Sequence, residues 1–247
     1  MTTPARTPGV QSWTFRQAKT TDDLLARLRE SGATSLEICG VHADFDKPTL
    51  DLTTITTLRS AGIAIRSMGV QTFTGDVAKE KRWFDFARAA GVEVITAHVQ
   101  VGTFREALKS AAALAEAYDV KVALHCHGGY LFGGSIDVLN YLLEISGPRI
   151  GLCIDAAWCL QAAGDPVEWA KRFAGRVYGV HYKDFTFAPN GRWQETVVGD
   201  GSLDLPAFVA ALDGNGFAGH AVIEYEGDPA NPVPAVRAGL HRVRSLA

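Results

Sequence analysis

Four stretches of this chain end the same way: an apolar, strand-forming run stops abruptly at a side chain able to ligate a metal. They are Val120-Lys-Val-Ala-Leu-His125-Cys-His127-Gly-Gly129, Ile150-Gly-Leu-Cys-Ile-Asp155, Val177-Tyr-Gly-Val-His181-Tyr-Lys183-Asp184 and His220-Ala-Val-Ile-Glu224-Tyr-Glu226-Gly227. Apolar bulk followed at once by ligand chemistry describes a buried strand whose C-terminal tip opens into a site. Four such strands in succession deliver His, Asp, His and Glu to one rim, and only a fold that gathers parallel strand ends can do this.

The rest of the chain repeats that unit. Short β-type runs alternate with longer helical patterns, the signature of βα units and a parallel sheet. Eight strands are expected, at about residues 10–15, 35–39, 63–70, 92–99, 120–125, 150–155, 177–181 and 221–225. The helices carry apolar residues three and four apart, as in Leu24, Leu25, Leu28 and Leu108, Ala112, Leu114. Gly32, Gly62, Gly91, Gly147 and Gly216 each close a helical pattern before the next strand and are expected in the left-handed conformation. Thr21-Asp-Asp, Ser135-Ile-Asp and Asp165-Pro166 mark helix starts. Eight units in 247 residues fit a single (β/α)₈ TIM barrel over residues 1–247, whose chemistry gathers at the C-terminal strand ends. An open doubly wound sheet is disfavoured, because Phe15-Arg-Gln-Ala18 stands where a glycine-rich phosphate loop would follow the first strand.

Composition excludes several classes. With 24 basic against 27 acidic side chains the formal charge is -3, which gives no field for nucleic acid. No apolar run approaches the roughly 20 residues of a membrane span, and the first residues lack a signal-peptide core. A cytoplasmic protein is expected, with no membrane partner and a homo-oligomer left open. Cys39, Cys126, Cys153 and Cys159 lack the paired spacing of a zinc knuckle and are read as reduced core residues.

His125, Asp155, His181 and Glu224 are the candidate metal ligands. A lone histidine in a strand is more often a hydrogen-bonded core residue than a ligand, but four such residues on consecutive strand ends would be a poor core, since buried charges need partners. Mixed nitrogen and oxygen ligation points to one divalent ion, Mn²⁺ first, with Co²⁺, Zn²⁺ or Mg²⁺ as alternatives. Lys183 shares the face of His181 two residues on, where an ammonium can stabilise an oxyanion or pair with Asp184 or another carboxylate. Glu37 and His98, at the ends of the second and fourth strands, are candidates to bind substrate hydroxyls. Trp13, Phe73, Tyr130, Trp158 and Trp193 are candidate apolar walls for a sugar ring.

Gly179-Val-His181-Tyr-Lys183-Asp184, then Gly199-Asp-Gly-Ser-Leu-Asp204, then Ile223-Glu224-Tyr-Glu226-Gly-Asp228 follow one another as in the xylose isomerase-like TIM-barrel superfamily, the sugar phosphate isomerases and epimerases, which the chain resembles over nearly its whole length. The resemblance implies metal ligation by His125, Asp155, His181 and Glu224, with Glu224 also transferring protons. It implies a metal-dependent isomerase or epimerase that removes a proton beside a carbohydrate carbonyl to give an enediolate. Two departures stand out. Many epimerases of the family carry glutamate at the place of His125, and Trp158 occupies a place where the family commonly shows histidine, which puts a substrate hydrogen bond there in question. The His125-Cys-His127-Gly wording is similar to inosose dehydratases and keto-sugar lyases, which implies the alternative: elimination from a keto-sugar or keto-inositol, with Glu224 and His127 dividing base and acid. A metal-dependent phosphodiesterase would call for a richer ligand cluster and a basic surface. A non-catalytic sugar-binding barrel is the remaining reading.

Overall fold

The protein is described here by a computed structural model covering residues 3–47, 51–128 and 131–246. Ten strands are present among the described residues: β1 (Gly9–Gln11), β2 (Ser35–Ile38), β3 (Ala64–Phe73), β4 (Val94–Val99), β5 (Lys121–His125), β6 (Ile150–Asp155), β7 (Val177–Tyr182), β8 (Asp184–Phe187), β9 (Trp193–Thr196) and β10 (His220–Ile223). Eight of them close a barrel in the order β1-β10-β7-β6-β5-β4-β3-β2, with every pairing parallel. The expected (β/α)₈ barrel is therefore the fold.

Among the described residues nine α-helices cover it: α1 (Thr21–Ser31), α2 (Thr53–Ser60), α3 (Val77–Ala89), α4 (Phe104–Tyr118), α5 (Ile136–Glu144), α6 (Ala156–Gln161), α7 (Pro166–Arg172), α8 (Leu205–Gly214) and α9 (Val233–Ser245). Side-chain caps fix most of their starts, though not those of α2, α4 and α9. Thr20, Asp76, Ser135, Asp165 and Asp204 each accept a backbone N–H from the first turn of the helix that follows. Gly32, Gly62, Gly91 and Gly216 adopt positive φ of 78°, 85°, 56° and 67° as expected. Gly147 does not: α5 closes earlier, through the Ile145 N–H on the Tyr141 carbonyl. Asp119 turns the chain after α4 instead of a glycine, with φ 56°.

Two boundaries differ from expectation for a local reason. The first strand stops at Gln11, whose Oε1 accepts the Trp13 N–H and starts a short 3₁₀ turn over Ser12–Phe15. The antiparallel hairpin β8–β9, inserted after β7, was not anticipated, because residues 184–196 carry no clean alternation.

Alternation along the strands sorts the side chains. One set, including Leu36, Ile38, Ile95 and Ile154, packs outward into the apolar layer under the helices. The other set faces the axis and is unusually polar for a barrel interior. Contacts between strands that are not neighbours prove the inward direction: Glu37 of β2 meets His181 of β7, and Ser67 of β3 meets His220 of β10. Polar side chains thus fill the barrel and emerge at one end as a site.

Candidate active site

The four sequence-derived ligand candidates converge. One ligand atom from each of His125, Asp155, His181 and Glu224 lies within 4.8 Å of every other, and all four residues are buried. His125 and Asp155 end their strands, His181 sits one residue before the end of β7, and Glu224 follows β10 with its N–H on the Tyr182 carbonyl. Asp155 caps α6, its Oδ1 accepting the Trp158 N–H at 3.0 Å. Its Oδ2 is buried, has no hydrogen-bond partner, and faces His125 Nε2 at 3.5 Å.

The donor set calls for positive charge, which a proton on His181 or a bound cation can supply. His181 Nε2 lies 3.0 Å from Glu37 Oε1, and its Nδ1 is 3.1 Å from Glu224 Oε2 and 3.3 Å from His125 Nε2. With a proton on Nε2, Nδ1 directs a lone pair at a carboxylate and a second imidazole, which is unfavourable without positive charge between them. Burial alone would lower His181, yet Cys153, Glu37 and Glu224 together raise it well above its ordinary value. The group is thus fit to hold a divalent ion with two imidazole and two carboxylate ligands.

Above this cluster lies a cleft of about 420 Å³. Its β10 side presents Glu224, Glu226 and Lys183, and its β4–β5 side His98, His125 and His127. Lys183 is 1 % exposed, and its Nζ bonds Glu226 and stands 3.5 Å from Glu224 Oε2. Burial opposes its charge, but Glu224, Asp155, Glu195 and Glu226 raise it well above the ordinary lysine range. Glu224 is the converse: burial would push its carboxyl up, and Lys183 and His181 hold it well below the usual range. Asp184 does not pair with Lys183. It accepts the N–H groups of Gly199, Gly201 and Leu203, and a Cβ at Gly201 would come within 2.3 Å of its Oδ1, which accounts for the Gly199-Asp-Gly motif.

His127 is half-buried and lies against Trp158, with ring centroids 3.9 Å apart and planes at 28°. Its Nδ1 is 3.0 Å from the Gly128 carbonyl, which only accepts, so the proton is on Nδ1 and Nε2 carries the lone pair. Burial, the largest influence, lowers its pKa. His98 sits edge-on to both His125 and His127 and is lowered to about 3, by burial first and then by those neighbours.

Glu37 departs from its expected place. It is 1 % exposed and does not reach the cleft; Gln11, Ser67, Thr96 and His181 occupy its oxygens. Phe73 is fully buried against Trp83 and Phe84 and forms no cleft wall. Trp13 and Trp158 line the cleft, Trp193 stacks on Phe185 beside Trp158, and Tyr130 lies outside the described residues. All four cysteines are free and buried. Sequence reasoning passed over Gln11, Ser67, Thr96 and His220; only the period-2 register of the strands signals that they face the axis.

The chain belongs to the xylose isomerase-like TIM barrel family, which matches it over residues 9–246. Among curated proteins it is 28% identical to a 3-oxo-isoapionate decarboxylase of Pectobacterium atrosepticum, over 74% of this chain and 70% of that protein. It is also 28% identical to an inosose dehydratase of Clostridium perfringens, over 53% of this chain and 50% of the relative, and it spans about half the length of most curated relatives it matches. Among solved structures, a xylose isomerase-like TIM barrel protein from Mycobacterium smegmatis in complex with magnesium superposes with TM-score 0.77 at 14% identity, covering 100% of this chain and 98% of that one. The IOLI protein with a bound zinc atom superposes with TM-score 0.75 at 16% identity, over 97% and 98% of the two chains. Among the described residues no helix is long and apolar enough to cross a membrane.

Proposed function

We propose that this protein is a divalent-metal-dependent lyase acting on a small keto-carbohydrate or keto-cyclitol, removing the proton α to the carbonyl and releasing a β-substituent. This reverses the sequence ranking, in which isomerase or epimerase came first. The observation that carries it is the asymmetry of the cleft: its carboxylates stand on the β10 side, and imidazoles face them from β4 and β5. Two-base epimerisation calls for comparable bases on both faces, whereas elimination calls for unlike groups. The names of the relatives, a dehydratase and a decarboxylase, support loss of a group over rearrangement.

His125, Asp155, His181 and Glu224 would hold the ion, and Mn²⁺ remains the favoured choice for this mixed donor set. When bound, a divalent cation supplies Lewis acidity toward the substrate carbonyl. Lys183, fixed by Glu226 and kept charged, donates to the oxygen on which negative charge develops. His127 Nε2 is free to take a proton, while the Nδ1–H bond to Gly128 fixes its tautomer and the Trp158 face fixes its plane. Glu224, held ionised by Lys183 and His181 and contacting them through Oε2 alone, can only accept a proton at Oε1, so the departing β-substituent takes its proton from His127: the α-proton passes from carbon to Nε2 and from there to the leaving oxygen. Relative to the sequence reading, the hydrogen bonding of His127 makes it a base first, and an acid only once it has taken the α-proton.

The test is product identity. Mn²⁺-loaded protein is incubated with keto-inositols and 3-keto-glycosides in deuterated water and followed by proton NMR. An unsaturated ketone or a released aglycone supports the lyase; interconversion of ketose and aldose alone returns the assignment to isomerase.

A further inference from the structure

Beneath the ligand cluster a chain of buried polar groups crosses the barrel from wall to wall, and of its members Gln11 borders the cleft while Glu37, Ser67, Thr96 and His220 do not. His220 sits between Ser35 and Ser67, with Nε2 3.3 Å from Ser35 Oγ and Nδ1 2.7 Å from Ser67 Oγ. Ser67 donates to Glu37 Oε2 at 2.6 Å, and Glu37 Oε1 receives Gln11, Thr96 and the Nε2 of His181 at 2.5, 2.8 and 3.0 Å. These groups belong to six strands, so the arrangement is held by the whole barrel.

The proton positions along this chain follow from valence. Glu37, ionised, only accepts, so the single Ser67 hydroxyl proton points at Oε2. The Ser67 oxygen must then accept from His220 Nδ1–H, and His220 with one ring proton leaves Nε2 to accept from Ser35. Burial keeps His220 neutral, lowering it to about 3, which agrees with this orientation. At the other end Glu37 Oε1 takes a proton from His181 Nε2, so Nδ1, which faces Glu224 and His125, is the nitrogen left for the ion.

We propose that Glu37 is a positioning residue for the metal ligand His181, its own carboxylate oriented by Ser67 and His220, so that the barrel interior commits His181 Nδ1 to the ion. A carboxylate behind a ligating imidazole fixes tautomer and ring plane and raises ligand basicity. This rests on the reading of His125, Asp155, His181 and Glu224 as a metal site. Glu37 acts only through His181 and touches no substrate, in contrast to its expected role with substrate hydroxyls.

The experiment measures Mn²⁺ and Zn²⁺ dissociation constants by calorimetry for wild type, Asp155→Ala, Glu37→Gln and Ser67→Ala, with thermal melts of the metal-free proteins. Glu37→Gln is expected to weaken metal binding by about 10- to 100-fold, and Ser67→Ala by less, each beyond any change in melting. Long-range ¹⁵N–¹H correlation on Zn²⁺-loaded wild type adds a readout that needs no variant: His181 is expected as the Nε2–H tautomer. A folded Glu37→Gln with wild-type metal affinity overturns the proposal, as does a His181 protonated on Nδ1 in the loaded protein. Failure of the underlying site looks different: wild type and Asp155→Ala would then bind metal equally or not at all, and this inference would fall with it.

Discussion

His127 lies flat on the indole of Trp158, which in turn meets Trp193 and Phe185 of the β8–β9 hairpin edge-on at 5.3 Å. The imidazole that faces the carboxylate side of the cleft is thus held by an aromatic stack continuing into an inserted hairpin. Trp158 is also tied to the ligand cluster through its N–H on Asp155.

Removing the imidazole tests its place in proton transfer. His127→Ala is expected to lower turnover by roughly 10²- to 10⁴-fold, the usual weight of a general acid or base. Metal affinity should stay near wild type, since His127 is outside the ligand set. Steady-state kinetics with a keto-cyclitol and calorimetric titration of Mn²⁺ check the two halves; a variant within about threefold of wild-type turnover contradicts the role.

Trp158 should act through His127. Trp158→Phe preserves a stacking face and is expected to keep most activity, whereas Trp158→Ala frees the imidazole plane and should lower kcat by about 10-fold or more, as small misplacements of a reacting group do. Equal kcat in both variants would show that the stack does not position His127.

Lys183 joins two carboxylates below the cleft. Lys183→Met removes the ammonium from beside Glu224 and Glu226 and is expected to lower kcat by about 10²- to 10³-fold, as loss of an oxyanion donor does. It should also lower the melting temperature, because the carboxylates lose their buried partner. A Met variant with wild-type kcat would assign Lys183 to structure alone.

The helix-end glycines give a test of the fold without the site. Gly62 and Gly91 hold φ of 85° and 56°, and a Cβ at Gly62 would meet nothing within 4 Å, so the cost there is conformational alone. Alanine at each is expected to cost about 1 kcal/mol, read as a lower midpoint in urea with unchanged slope. Unchanged midpoints would contradict the left-handed turns.

The barrel and the convergence of His125, Asp155, His181 and Glu224 were legible because these strands end where their apolar runs end, and a polar residue marks the place. The strands also alternate, so once Asp155 and His181 face inward, Cys153 and Gly179 do too. Glu37 and Lys183 show where sequence stops. Both are charged residues at strand ends, yet Glu37 is covered by partners from strands far away in the chain, and Lys183 pairs with Glu224 and Glu226 instead of the adjacent Asp184. Such pairings depend on barrel closure, which brings residues 37 and 181 together, and no local spacing encodes it. The hairpin at residues 184–196 escaped for a different reason, since its strands expose both faces in part and lack a period.

On the proposed reading, one divalent ion held by His125, Asp155, His181 and Glu224 makes the cleft a lyase. Its most direct test is turnover of a keto-cyclitol by chelator-stripped protein during stepwise return of Mn²⁺, with Asp155→Ala alongside. The expected result is an inactive stripped protein, product formation that rises and saturates at one ion per chain, and no recovery in Asp155→Ala at the same free Mn²⁺. Full turnover by the stripped wild type, or equal recovery in the variant, would contradict it.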